Sequence, residues 1–353
     1  MKRTLILTLY TALSTALGAT LLAAPAVSDE LAVVGSWSGL PLHRQFEAPF
    51  WNDVLSEVSQ GSMSSALTTH DQMGIGGGDV FRMLGDGVFD VGMTVADYAV
   101  SDAPELEGLD VPLIATDAAS ARTMVDAARP MVADIYADTF NAHVLAIAPY
   151  PPQVVFCNAE VASLADLEGK KIRASGRMTA LFLEALGAEG ITLGFGEVPG
   201  ALQRGVVDCA ITGAGSGYNA GWWEVSTHLL AIPLGGWDPV VTAINMDTWN
   251  GLSAEDQATL ESAIKEQFED PAWEVAQDGL AMDIACLTGT SECTLGDARD
   301  LTLVEASEED VARARDILVT QVLPDWAERA GDDWAQRWNA SVGEATGVSI
   351  PLN

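Results

Sequence analysis

The residue best equipped for chemistry is Arg173, which closes the run Leu164-Ala-Asp-Leu-Glu-Gly-Lys-Lys-Ile-Arg173. A polar turn of this kind delivers an arginine to the end of a short strand, where its guanidinium offers a planar, permanently charged fork that fits a carboxylate. Taken alone, it is one more cation after Lys170 and Lys171. Further on, Glu197-Val-Pro-Gly-Ala-Leu-Gln-Arg-Gly-Val-Val-Asp208 reads as a helix running into a strand.

Patterns for catalysis fail where they are tested. Gly213-Ala-Gly-Ser-Gly217 superficially resembles a nucleophile elbow, but G-x-S-x-G around Ser216 needs glycine at positions held by Ala214 and Tyr218. A triad histidine after that serine could only be His228, too close for the usual late placement. His43, His70 and His143 have no ligand spacing, which argues against zinc, and they read as surface or capping residues. Gly74-Ile-Gly-Gly-Gly78 lacks the ending of a P-loop and the dinucleotide fingerprint, so it reads as a flexible turn. Asp97 and Asp238 could hold a cation or a ligand hydroxyl, although a solvated loop acid is the plainer reading of each. No cofactor is implied.

The chain has 353 residues, 17 basic and 50 acidic, for a formal net charge of −33. That excess excludes nucleic acid as a partner and favours a soluble monomer. An anionic ligand would face a repulsive field, so any site for it must act locally. Lys2 and Arg3, the apolar run from Thr4 to Ala24 and Ala24-Pro25-Ala26 have the form of a cleaved export signal over residues 1–26. The mature protein is therefore expected in the periplasm, and no later stretch is long and uncharged enough to span a bilayer. Cys286 and Cys293 enclose a short loop suited to a disulfide. Cys157 and Cys209 each adjoin a β-rich run and could pair across adjacent strands, two buried thiols being the alternative.

These residues need a scaffold with two halves. Beyond the signal the chain is too long for one ordinary core, and strand–helix alternation repeats on both sides of the Pro149, Pro151 and Pro152 cluster. Lobe I is expected over 27–148 and 243–285, lobe II over 149–242 and 286–353. Ser253 reads as the N-cap of a helix burying Leu260, Ile264 and Phe268, with Asp270-Pro271 capping a further helix or kinking the same one.

At this point the chain resembles the solute-binding proteins of tripartite ATP-independent periplasmic (TRAP) transporters, of the DctP type. The resemblance rests on Leu164 to Arg173, Glu197 to Asp208, Gly78 to Asp90, Pro104 to Pro112 and Trp222-Trp-Glu-Val225, in the right order. It implies a periplasmic-binding-protein-like α/β fold, with two lobes, hinge strands and a long spanning helix, and a ligand held in the interlobe cleft. It implies a small organic acid as ligand, a membrane permease as partner, no catalysis, and a monomer more often than a dimer. Arg173 falls on the family's carboxylate-binding arginine, and Thr212 stands at its usual cleft asparagine. The second arginine of many relatives is missing from Pro151 to Cys157, where Gln153 is a neutral substitute or a surface residue. Trp37, Tyr98, Tyr218 and Trp237 sit at loop ends that should border the cleft, each with a core role as its alternative. As a set they favour a monocarboxylate such as a 2-oxo, hydroxy or aromatic acid. The alternatives are a binding protein of an ATP-driven importer and an exported hydrolase.

Overall fold

The computed structural model describes residues 29–351, so the export signal expected over 1–26 lies outside the described residues. The first sheet is begun by β1 (Asp29–Gly35), β2 (Met63–Thr69), β3 (Val91–Val95) and β4 (Ala142–Ala148). The second contains β5 (Gln153–Cys157), β6 (Lys171–Ala174), β7 (Glu189–Thr192), β8 (Cys209–Gly213) and β9 (His228–Leu230). Then β10 (Val240–Asn245) returns to the first sheet and β11 (Thr302–Val304) to the second, giving the orders β2-β1-β3-β10-β4 and β11-β9-β5-β8-β6-β7.

Runs such as Val91–Val95 and Val240–Asn245 show no polar alternation because both faces of these strands are covered; every residue in them is buried. Strands β1, β2 and β3 are parallel, whereas β10 lies antiparallel between β3 and β4. In the second sheet β5 likewise runs against β8 and β9. Each of these two strands arrives from the other sheet, so they mark the crossings of the chain at 149–152 and 231–239. In the β5–β8 register Cys157 stands opposite Cys209, and the two are bonded.

The helices that matter for the site are α1 (41–58), α2 (Ala118–Phe140), α3 (Arg177–Ala185), α4 (Ala214–Asn219), α5 (254–288), α6 (308–330) and α7 (332–346). Helix α5 is about 52 Å long at 1.5 Å per residue, enough to reach from one sheet to the other. Ser253 caps it by accepting from the Asp256 amide, and Leu260, Ile264 and Phe268 are wholly buried. At Asp270-Pro271 the helix does not end. A widened turn over Lys265–Glu269 accommodates the ring and the absent N–H of Pro271. Just beyond, the Trp273 indole donates to the Ile147 carbonyl (2.9 Å), fastening α5 to the end of β4. The Cys286–Cys293 bond closes its last turn.

Helices α6 and α7, grouped by sequence with lobe II, also fasten to elements of the first half. The Trp326 and Trp338 indoles donate to Pro104 O (3.0 Å) and Gly108 O (2.8 Å), and Arg337 pairs with Asp134 of α2. Buried indoles need acceptors, and segment 104–109 supplies them. Gly108 is required there, because a Cβ would lie 2.4 Å from the Trp326 ring.

Candidate functional site

Strand β6 carries Arg173 inward: its burial pattern turns from exposed at Lys171 to buried for the remaining three residues, and Arg173 is 1% exposed. Its Nε donates to Leu193 O (3.0 Å), just past β7, and Nη1 to Ile211 O (2.6 Å), in the middle of β8. The Trp222 ring lies 5.8 Å from its Cζ. The Tyr98 hydroxyl is a further hydrogen-bond partner, and a guanidinium has five N–H donors, so some remain for a ligand. Among the described residues no carboxylate forms a salt bridge with it. Burial pulls it below its ordinary pKa, while Tyr98 and Asp238 act in the opposite direction.

The space facing Arg173 is small, lined also by Trp37 and Tyr98 from the first-sheet side and by Thr212 and Ser216 from the second. Tyr150, from the proline crossing, and Phe195 complete its apolar walls. Phe195 links Trp37 to Trp222, with ring centroids 5.5 and 5.3 Å away. Gly77 packs against Tyr98: a Cβ there would lie 2.2 Å from the Tyr98 ring, so the glycine run is needed for close approach as well as for a turn.

Asp238 is the second polar feature of this space. It takes the left-handed backbone region (φ 39°), where a residue other than glycine stores strain. Asp110 holds it there, since one carboxylate oxygen accepts from the amides of Trp237 (2.6 Å) and Asp238 (3.0 Å). Gly236 lets Asp110 come so near; a Cβ would lie 1.8 Å from its Oδ1. Burial pushes the Asp238 carboxyl up to about 6, against the lowering effect of Arg173. Its Oδ1 is enclosed and without a partner among the described residues. Asp97 and Asp110 are raised well above the carboxylate range, first by burial and then by the neighbouring acids.

Asp97 also meets the other half of the molecule. Its Oδ2 lies 1.3 Å from where a Cβ of Gly176 would be, so the backbone before α3 abuts it directly. Burial pushes the Tyr98 phenol up to about 12, with Arg173 pulling it back.

Of the residues singled out by sequence, Arg173, Thr212, Trp37 and Tyr98 share one space. Gln153 lies behind it, 0% exposed, against Gly235 and beside Asp238, whose carboxylate its amide helps to stabilise. Two aromatic expectations are corrected. Trp237 belongs to the core, its indole donating to Ala115 O (2.9 Å) and its ring packed by Trp273. Tyr218 donates to Asp297 O (2.8 Å) beneath the Arg299 guanidinium, and so secures the loop after the Cys286–Cys293 bond. The solvated-acid reading of Asp97 and Asp238 is also corrected, because both pack into the interior between the halves. His70 is buried (1%) rather than superficial, against the Trp37 ring. Tyr150, Phe195 and Ser216 were missed as site residues; only the prolines around Tyr150 and the glycines around Phe195 marked places where the chain turns inward.

The model of the bacterial extracellular solute-binding proteins, family 7 (DctP), matches residues 40–289. The chain is 26% identical over 221 residues to the 2,3-diketo-L-gulonate-binding periplasmic protein YiaO of Escherichia coli K12, covering 61% of this chain and 66% of that one. It is 30% identical over 140 residues to the ectoine-binding periplasmic protein TeaA of Halomonas elongata, covering 39% and 40%. The aligned stretches thus span less than two thirds of these relatives' own length. The crystal structure of DctP7, a Bordetella pertussis extracytoplasmic solute receptor binding pyroglutamic acid, superposes with a TM-score of 0.77 at 21% identity, covering 91% of this chain and 100% of that chain. Among the described residues no helix is long and apolar enough to cross a membrane.

Proposed function

The chain belongs to family 7 of the bacterial extracellular solute-binding proteins, the TRAP type, and from that premise we propose that it captures a small organic monocarboxylate between its halves. Arg173 would grip the carboxylate with the donors not given to Leu193, Ile211 and Tyr98. The observation that carries the reading is a guanidinium 1% exposed, with no salt bridge to a carboxylate among the described residues, in a small space lined from both sheets. A buried charge left in that state is costly, and an anion relieves it.

Asp238 favours one carboxylate over two. A second anionic group close to it would meet a like charge, whereas a hydroxyl or N–H could donate to the enclosed Oδ1. Trp37, Tyr98, Tyr150 and Phe195 suit an apolar or ring-shaped body. Thr212 adds one hydroxyl donor, and Gln153 acts behind Asp238 rather than on the ligand. Pyroglutamic acid, bound by the structurally similar DctP7, is likewise a monocarboxylic acid with a ring.

The lobes proposed here divide at the crossings at 149–152 and 231–239, with α5 and the C-terminal helices bridging the seam. A ligand that touches both lobes only when they are shut shifts the population toward the shut form. The protein would then present the acid to a membrane permease from the periplasm. Calorimetry with a panel of 2-oxo, hydroxy, cyclic and aromatic monocarboxylates, set against dicarboxylates and sugar acids, tests the reading. Binding confined to dicarboxylates or sugar acids would overturn it.

A further inference from the structure

A second cavity, of about 280 Å³, shares Tyr150 and Ser216 with the Arg173 pocket and is otherwise walled by different residues. Its size is at the lower end of small-molecule pockets, roughly 300–1,000 Å³. Leu42 and Phe46 of α1, Pro149 and Pro151 of the crossing, and Val275 and Met282 of α5 make most of its wall apolar. On α5, residues 275, 279 and 282 recur at the spacing of one helix face. Val275 and Met282 are 54% and 39% exposed, so this face leaves apolar surface open at the cavity.

One acid interrupts that wall. Asp283 is 6% exposed and lines the cavity. Its carboxylate abuts Gly215 at the start of α4, where a Cβ would lie 2.4 Å from Oδ2. Among the described residues the Gly215 amide is the one polar neighbour that stabilises the charge, and no cation contributes. A carboxylate buried in an apolar wall without a cation is the counterpart of Arg173, with the opposite sign.

We infer that this cavity is a second ligand site, for a small apolar molecule bearing one protonated amine, with the ammonium on Asp283 and the hydrocarbon part along Leu42, Phe46, Val275 and Met282. Burial pushes the Asp283 carboxyl up to about 7, and a bound ammonium would draw it back toward the ionised form. The net charge of −33 raises the local concentration of cations, so entry is favoured at long range. Arg173 would repel the same molecule from the neighbouring pocket. The inference does not rest on the organic-acid reading, because it concerns different side chains and a ligand of the opposite charge.

The test uses the full mature protein and 2-phenylethylamine as the probe, with 2-phenylethanol as the uncharged control, titrated by calorimetry. The amine should bind the unaltered protein and Arg173→Ala alike, and bind Asp283→Asn roughly tenfold to a hundredfold more weakly, the usual range for losing a charged hydrogen bond. Gly279→Leu supplies an independent variant: Gly279 lines the cavity and a Cβ there meets nothing within 4 Å, so the side chain should fill the space and block the amine without disturbing the helix. No amine binding at 10 mM, equal binding by Asp283→Asn, or equal affinity for the alcohol would overturn the proposal. Tighter amine binding by Arg173→Ala than by the unaltered protein would assign the amine to the other pocket, where the guanidinium repels it, and overturn it too. Failure of the organic acids to depend on Arg173 would leave these readings untouched.

Discussion

Replacing Arg173 by alanine removes a charge that the fold holds at 1% exposure between two strands. In the ligand-bound protein, the carboxylate would keep its burial and lose its counter-charge, which costs about 2–5 kcal/mol, or roughly thirtyfold to a few thousandfold in affinity. In the free protein the balance differs. Loss of the guanidinium strands the Leu193 and Ile211 carbonyls, at about 1–3 kcal/mol each, but also removes an unpaired buried cation, and these effects oppose one another. Binding should therefore suffer far more than free-state stability. Calorimetry with a cognate acid and urea denaturation of the free protein read the two quantities separately. Arg173→Lys should fall between, because the charge survives while the planar fork is lost. An Arg173→Ala protein that folds and binds the acid within threefold of the unaltered protein would refute the reasoning.

Acid binding should strengthen as pH falls through about 6, where Asp238 takes up a proton and stops opposing the ligand's charge; calorimetry from pH 5 to 7.5 should show this slope, and Asp238→Asn should flatten it. Asp283→Asn should be more stable than the unaltered protein at pH 8, by up to about 4 kcal/mol if the folded-state pKa of about 7 is set against an ordinary 3.8. The folded-state value is the raised one, so stability falls as pH rises from near 4 to 7, and urea melts of the two proteins should converge at pH 4. By loop-closure entropy the Cys157–Cys209 bond, with a separation of 52, stabilises by about 4 kcal/mol and Cys286–Cys293, with a separation of 7, by about 2.5. Denaturation of the two double-alanine variants should preserve that order.

Arg173 was singled out by the family resemblance of its run; taken alone it is one more cation after Lys170 and Lys171, and only the apolar Ile172 beside it hints that the strand turns inward. Asp238 was not legible. Its burial depends on Asp110, Gln153 and the glycines at 235 and 236, which reach it from separate parts of the chain. The aromatic residues show the same limit in another form. A tryptophan at a strand end can face a cleft or a core, and Trp237 became core because the Ala115 carbonyl was there to accept its indole. Trp37 had no such acceptor and packs against His70 and Phe195 at the pocket. The proline at 271 was read as a cap or a kink because sequence does not reveal that the preceding turn can widen. The strand alternation, by contrast, follows from local composition, and both sheets formed where the apolar runs lie.

A chain of net charge −33 can hold an anion if the attraction is local and the repulsion is distant. Two unit charges 4 Å apart at an effective dielectric of about 20 interact by about 4 kcal/mol. A surface charge about 20 Å away in water contributes roughly 0.2 kcal/mol before screening, and two Debye lengths of salt reduce that about sevenfold. Thirty-three such charges then sum to roughly 1 kcal/mol, less than one well-placed guanidinium. The acids near enough to matter are Asp97, Asp110 and Asp238, and burial raises the pKa of all three, which lowers their negative charge where the ligand would lie. High salt should therefore change acid affinity little, since the deciding pair is buried while the opposing field is already screened. A steep salt dependence would place the attraction on the surface and remove Arg173 from its role.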